Sequence, residues 1–221
     1  MSHSADAAMT PEREAAQREV RAMRARLAAL DDDGLDLLFR RARSHYAWTD
    51  RPVSRATLEA LFDTIRAMPT SGNGNPARFV FVTTPEAREQ LAACVNPGNL
   101  PKMRGAPVTV IVAQDLEFWR HLDRLHPHRP NTDAFRNDPG RAARDAFRNA
   151  TLQGAYLMLD ARAHGLDVGP MSGFAPDKVD AAFFAGTSLR SNFLCNLGYG
   201  DERALFQRLP RFDFDEVCRV L

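Results

Sequence analysis

The chain reads as an α+β fold. Three observations predict it. Runs of β-branched and aromatic residues at Arg78–Thr83, Val108–Ala113 and Asn192–Tyr199 mark strands; amphipathic segments between them mark helices; and the regular strand-helix-strand alternation of a doubly wound sheet is missing.

The elements follow in order. Residues 1 to 9 are small and polar. From 10 to about 30 the chain is rich in Ala, Arg and Glu, with Val20, Met23, Leu27 and Leu30 at helical spacing, so an amphipathic helix is expected. Its charges alternate in sign, the pattern of a solvated face and not of a nucleic-acid arm. Asp31 to Asp33 cap a second helix over 35–43, and Ser54 caps a third that carries Leu58, Leu61, Phe62, Ile65 and Met68. A loop spans Pro69 to Pro76, and a short helix spans Glu86 to Val95. The stretch from Asp115 to Asn137 is aromatic, His-rich and broken by Pro, which suits a mobile cover. A long helix over 141–164 presents Phe147, Ala150, Thr151, Gly154, Leu157, Met158 and Ala161 on one stripe. Residues this small let another helix approach closely, as at a dimer axis. Gly165 stops the helix, Gly169 to Phe174 is expected to form a tight turn, and Pro176 opens a further helix. The organisation expected is an extension at 1–33 and one domain at 34–221.

Composition narrows the function. The 221 residues are 44% hydrophobic, enough for one substantial core, and the charged 26% cancel to +1. That balance offers no field to steer the chain toward nucleic acid or an anionic membrane, so small molecules or a second copy are the expected partners. Cys94, Cys195 and Cys218 are odd in number and widely spaced, which fits a reducing cytoplasm and no disulfide framework. No apolar run approaches the roughly 18 residues of a membrane span. His121, His126 and His128 lie close in sequence, but Pro127 interrupts them and no acid or cysteine stands at ligand spacing, so no metal site is expected.

Four segments carry chemistry together. Arg43 and Ser44 end a helix with a cation and a hydroxyl, a pair suited to a phosphate. The loop Pro69-Thr-Ser-Gly-Asn-Gly-Asn-Pro76 lets backbone approach a flat ligand, with Ser71, Asn73 and Asn75 offering polar groups to a heterocycle edge. Gly169-Pro-Met-Ser-Gly-Phe174 places the amides of Ser172 and Gly173 where they can converge on one acceptor. Arg208 and Arg211 supply further positive charge near the C-terminus. These are the parts a flavin mononucleotide (FMN) site requires. No Gly-x-Gly-x-x-Gly follows a strand, so a resident Rossmann site is not expected.

The order and spacing of Arg-Ser-x(3)-Trp, Pro-Thr-Ser-x-Asn-x-Asn-Pro, Gly-Leu-Asp-x-Gly-Pro-Met-Ser-Gly-Phe and Asn-Leu-Gly-Tyr-Gly-Asp resemble the nitroreductase superfamily over residues of about 34 to 221. Within it, the run from Asp167 to Phe174, with Val179 to Gly186 and Ser191-Asn192 after it, looks like the malonic semialdehyde reductases of bacterial pyrimidine utilisation. The pattern departs from many relatives at Ala42, Tyr46 and Ser172. The resemblance implies a nitroreductase-like FMN-binding fold with a central, mostly antiparallel sheet flanked by helices. It also implies a homodimer with FMN at the interface and a domain-swapped C-terminal segment. Arg43 and Ser44, with Arg208 or Arg211, would meet the phosphate and ribityl chain. Ser71, Asn73 and Asn75 would lie at the isoalloxazine, and Ser172 and Gly173 near N5. No side chain would be catalytic, because N5 carries the hydride, brought by NADPH or NADH in a ping-pong scheme. The substrate implied is malonic semialdehyde, reduced to 3-hydroxypropionate, with Arg190, Arg104 or Arg78 as candidates for its carboxylate. A broad nitroaromatic or quinone reductase, or a flavin-binding protein without activity, are the alternatives.

Overall fold

The computed structural model describes residues 10–128 and 130–221, so the polar leader at 1–9 lies outside the described residues. The chain divides after Ala42 into two compact units.

In the first unit, α1 runs Pro11–Arg26. The Thr10 hydroxyl accepts from the Arg13 amide at 3.3 Å, and proline occupies the first turn where its missing N–H costs nothing. None of its residues is buried. The expected second helix is split. α2 covers Asp32–Leu35, capped by Asp31, and continues as a π turn over Asp36–Arg40, closed by the Arg41 amide on the Asp36 carbonyl five residues back.

The second unit is built on one sheet. Its helices are α3 (Arg55–Ile65), α4 (Pro85–Ala92), α5 (Leu100–Gly105), α6 (Leu122–Leu125), α7 (Thr132–Arg136), α8 (Pro139–Ala163), α9 (Pro176–Phe183) and α10 (Phe214–Val217). The strands are β1 (Ala77–Val82), β2 (Val108–Asp115), β3 (Asp167–Met171) and β4 (Leu189–Gly198), in the order β1-β2-β4-β3 and antiparallel throughout. The α+β expectation holds, with one strand more than the sequence suggested. β3 occupies the first half of the predicted turn. Its Pro170 is tolerated because β3 is an edge strand, where a missing N–H breaks no ladder on the outer side.

Alternation along β2 explains why it reads as an unbroken apolar run. Ile111 packs with Leu91, Met103, Val179 and Leu194 on one face, whereas Val110 and Val112 meet Leu61, Leu157 and Leu197 on the other. Each such side chain contributes roughly 1.5–3 kcal/mol by leaving water. The α8 stripe is buried as far as Ala150, Gly154, Leu157 and Ala161, but its small residue serves the sheet. A Cβ on Gly154 would stand 2.5 Å from Cζ of Phe193 and 3.2 Å from Cγ1 of Val112. The stretch after β2 folds into short helical turns anchored by buried Phe118 and Leu122. Among the described residues no helix is long and apolar enough to cross a membrane. Beyond β4 the tail leaves Phe206, Leu209, Phe212, Phe214, Val217 and Val220 between 62% and 86% exposed.

Candidate functional site

β3 organises the site. At its start the segment Arg43–Trp48 lies alongside it: Ser44 forms a parallel bridge with Val168, and the His45 amide donates to the Val168 carbonyl at 2.9 Å. His45 is buried, with Nε2 3.2 Å from Asp167 Oδ1, while Asp167 Oδ2 accepts from the Gly200 amide at 2.8 Å. Glycine is required here, since a Cβ on Gly200 would stand 1.8 Å from His45 Nδ1 and one on Gly169 2.6 Å from the His45 carbonyl. Burial pushes the Asp167 carboxyl up, but the bonds from His45 and the Gly200 amide, with the charges of His45 and Arg162, outweigh it. The group therefore sits below its ordinary value.

Arg43 donates through Nη2 to the carbonyl of Phe206, a neutral partner that leaves the guanidinium charge uncancelled by that contact. Tyr46 and Phe206 bring their rings to 6.4 Å, so both ends of the second unit meet here. Arg208 and Arg211 follow in the exposed tail, where Arg211 donates to the carbonyls of Leu209 and Pro210 at 3.1 and 2.9 Å.

Ser172 and Gly173 stand at the other end of β3, about 13 Å from Val168 at the ordinary rise per residue. Ser172 is exposed. The Gly173 carbonyl accepts from the Asn96 amide at 3.1 Å and from Asn99 Nδ2 at 3.2 Å. Asn99 Oδ1 in turn accepts from Lys102 Nζ at 3.2 Å, and that ammonium lies 4.7 Å from the centre of the Tyr46 ring. Asn99 and Lys102 thus link the two ends of the site, and sequence reasoning missed them. The available signal was that Lys102 is one of two lysines in an arginine-dominated chain, three residues after an asparagine.

The loop from Pro69 to Pro76 is held elsewhere. Gly72, Asn73 and Asn75 have φ of 56°, 52° and 43°, left-handed conformations that glycine and asparagine tolerate best. The Ser71 amide donates to buried Asn149 Oδ1 at 2.8 Å, and Gln153 Nε2 donates to Asn75 Oδ1 at 3.3 Å. Asn73 Nδ2 donates to the Leu125 carbonyl at 2.6 Å, so the segment after β2 covers this loop. The loop enters β1, and β1 and β3 are opposite edges of the sheet, three strand spacings or about 14 Å apart. The predicted residues therefore form groups: Arg43, Ser44, Ser172 and Gly173 along β3; Ser71, Asn73 and Asn75 at the start of β1; Arg208 and Arg211 in the tail.

Of the three arginines considered for a carboxylate, Arg78 pairs with Asp115 at 2.6 Å and Arg104 with Glu89 at 2.8 Å, whereas Arg190 meets Asp180 only at 3.8 Å and donates to the Leu189 carbonyl at 2.6 Å. Among the described residues, no three His, Cys, Asp or Glu side chains converge in a way that could hold a metal ion.

Solved structures place the fold. A protein from Staphylococcus epidermidis, provisionally described as an NAD(P)H:FMN oxidoreductase, superposes with a TM-score of 0.77 at 16% identity, over 87% of this chain and 98% of that one. A provisionally described nitroreductase from Exiguobacterium sibiricum, solved in complex with FMN, gives 0.75 at 18% identity over 87% and 98%. The architecture is thus that of nitroreductase-like α+β proteins. The chain belongs to the nitroreductase family, whose sequence model matches residues 39–199. Similar curated proteins carry the provisional name NADH dehydrogenase/NAD(P)H nitroreductase. One from Burkholderia lata is 55% identical over 88% of this chain and 100% of its own length, and one from Stenotrophomonas maltophilia is 53% identical over 87% and 98%.

Proposed function

We propose that this chain is a cytoplasmic FMN-dependent NAD(P)H oxidoreductase, acting as a homodimer, that reduces malonic semialdehyde to 3-hydroxypropionate in pyrimidine degradation. The observation that carries the flavin reading is the β3 edge, with a guanidinium and a hydroxyl at one end and an amide-rich turn at the other, in a chain of the nitroreductase family.

The donor set suits the cofactor. Arg43 and Ser44, with Arg208 or Arg211, would hold the phosphate dianion by charge and hydrogen bond. Gly173 presents bare backbone, and a Cβ there would displace the Asn99 amide, whose Nδ2 would stand 2.4 Å away. Asn99 and Lys102 flank it with donors for a heterocycle edge. Ser71, Asn73 and Asn75 lie on the opposite sheet edge, so we assign them to the site of the second copy. The exposed apolar tail supports such a partner surface. When bound, FMN supplies two-electron hydride exchange, in turn with a nicotinamide and with the oxidised substrate. This chain's residues orient both visitors against one ring face. Reduction would add that hydride to the aldehyde carbon and a proton from solvent water to its oxygen, which gives the alcohol.

A broad nitroaromatic or quinone reductase is the second reading, favoured by the names of the similar curated proteins. The visible spectrum of the purified chain, followed by anaerobic NADPH and then candidate oxidants, tests both. A yellow protein bleached by NADPH and reoxidised by malonic semialdehyde supports the proposal. Reoxidation by nitroaromatics alone supports the second reading, and a colourless protein that takes up no FMN removes both.

A further inference from the structure

We propose that the cleft between α8 and the middle of the sheet recognises the carboxylate of a small anionic substrate through Arg144 and Arg148. The inference rests on the oxidoreductase reading and deepens it. The cleft measures about 690 Å³, within the range of metabolite sites, and is lined by Gln114, Ala143, Arg144, Phe147, Arg148 and Thr151.

Its floor lies between the two nominated loops. On β2, Gln114 pairs with Ala77, the residue that follows the 69–76 loop. On β4, Asn192 lies two residues before Leu194, the partner of Met171, which precedes Ser172. Asn192 Nδ2 donates to Gln114 Oε1 and Thr151 Oγ1, both at 2.9 Å, so strands and helix are tied together at this point.

The walls suit an anion. Arg144 and Arg148 are one helical turn apart on the same face of α8, and planar guanidinium forks grip a carboxylate in paired hydrogen bonds. Arg148 meets the Asp145 carboxylate only at 3.8 Å and its side chain is 77% exposed, a weak pair that leaves its charge available. Arg78, half-buried and paired with the buried Asp115 at 2.6 Å, offers nothing comparable. Phe147, 54% exposed, gives the cleft an apolar wall beside the two guanidinium groups.

Arg144→Gln, Arg148→Gln and the double variant test this in the full chain, with circular dichroism melts to verify folding. Two measurements apply. The first is the ratio of kcat/KM for 4-nitrobenzoate to that for nitrobenzene, substrates that differ in the carboxylate. The second is calorimetric titration with malonate. The expected result is a fall of about ten-fold in the ratio per arginine, loss of malonate binding in the double variant and an unchanged KM for NADPH. A ratio and malonate affinity equal to wild type overturn the proposal. So does a rise in the KM for NADPH with the ratio intact, which would mark the cleft as a dinucleotide phosphate site. If the protein turns over neither nitroaromatic nor malonic semialdehyde, the oxidoreductase reading fails, while calorimetry still decides the cleft: malonate bound by wild type and lost in the double variant supports it, and no binding by wild type overturns it.

Discussion

The Asn99 side-chain amide donates to the Gly173 carbonyl at 3.2 Å, and this bond joins α5 to the turn that follows β3. A methyl on Gly173 would stand 2.4 Å from the same Asn99 nitrogen, so the side chain must move. Gly173→Ala is expected to weaken FMN binding about ten-fold or more while shifting stability little, because the displaced amide lies at the turn and not in the core. Flavin fluorescence titration beside a urea melt separates the two effects; unchanged FMN affinity would remove Gly173 from the site.

Gly200 faces a buried ring that cannot retreat. With its Cβ 1.8 Å from His45 Nδ1, Gly200→Ala is expected to cost roughly 3 kcal/mol of stability through overpacking. Equilibrium urea unfolding measures it, and a variant as stable as wild type would show that His45 has room to move.

Acid should expose the His45–Asp167 pair. A carboxyl whose folded value is depressed contributes stability that is complete above its unfolded value, about 3.9, and is lost as the pH falls through the lower folded value. Thermal melts between about pH 2 and 6 should therefore show wild type losing Tm more steeply than Asp167→Asn below about pH 4. Parallel curves would mean that Asp167 is not stabilised in its charged form.

Arg43 should read phosphate and not ring. Arg43→Gln is expected to weaken FMN about ten-fold or more, and riboflavin, which lacks the phosphate, much less. Equal losses for both flavins would place Arg43 elsewhere on the ligand.

Much of the frame was legible. Ser54 does cap α3, accepting from Thr57 at 3.1 Å, and the apolar run of β2 is the centre of the sheet. β3 was read as a turn because Gly169 and Pro170 are local turn formers, and only its edge position makes them acceptable. Asn99 and Lys102 were overlooked for a different reason, their one signal being a rare lysine three residues after an asparagine. Their role depends on α5 meeting the end of β3, a tertiary contact with no local pattern. The grouping of the site was likewise hidden, since nothing along the chain says that the strands after Pro76 and after Gly165 become opposite edges.

That separation of edges has a consequence for handling the protein. If each flavin needs the 71–75 loop of one copy and the β3 end of another, holding the cofactor becomes a matter of mass action between chains. Concentrated stocks would keep their colour and dilute ones would fade. Assays at low nanomolar enzyme would then report how tightly copies associate as much as how fast they react.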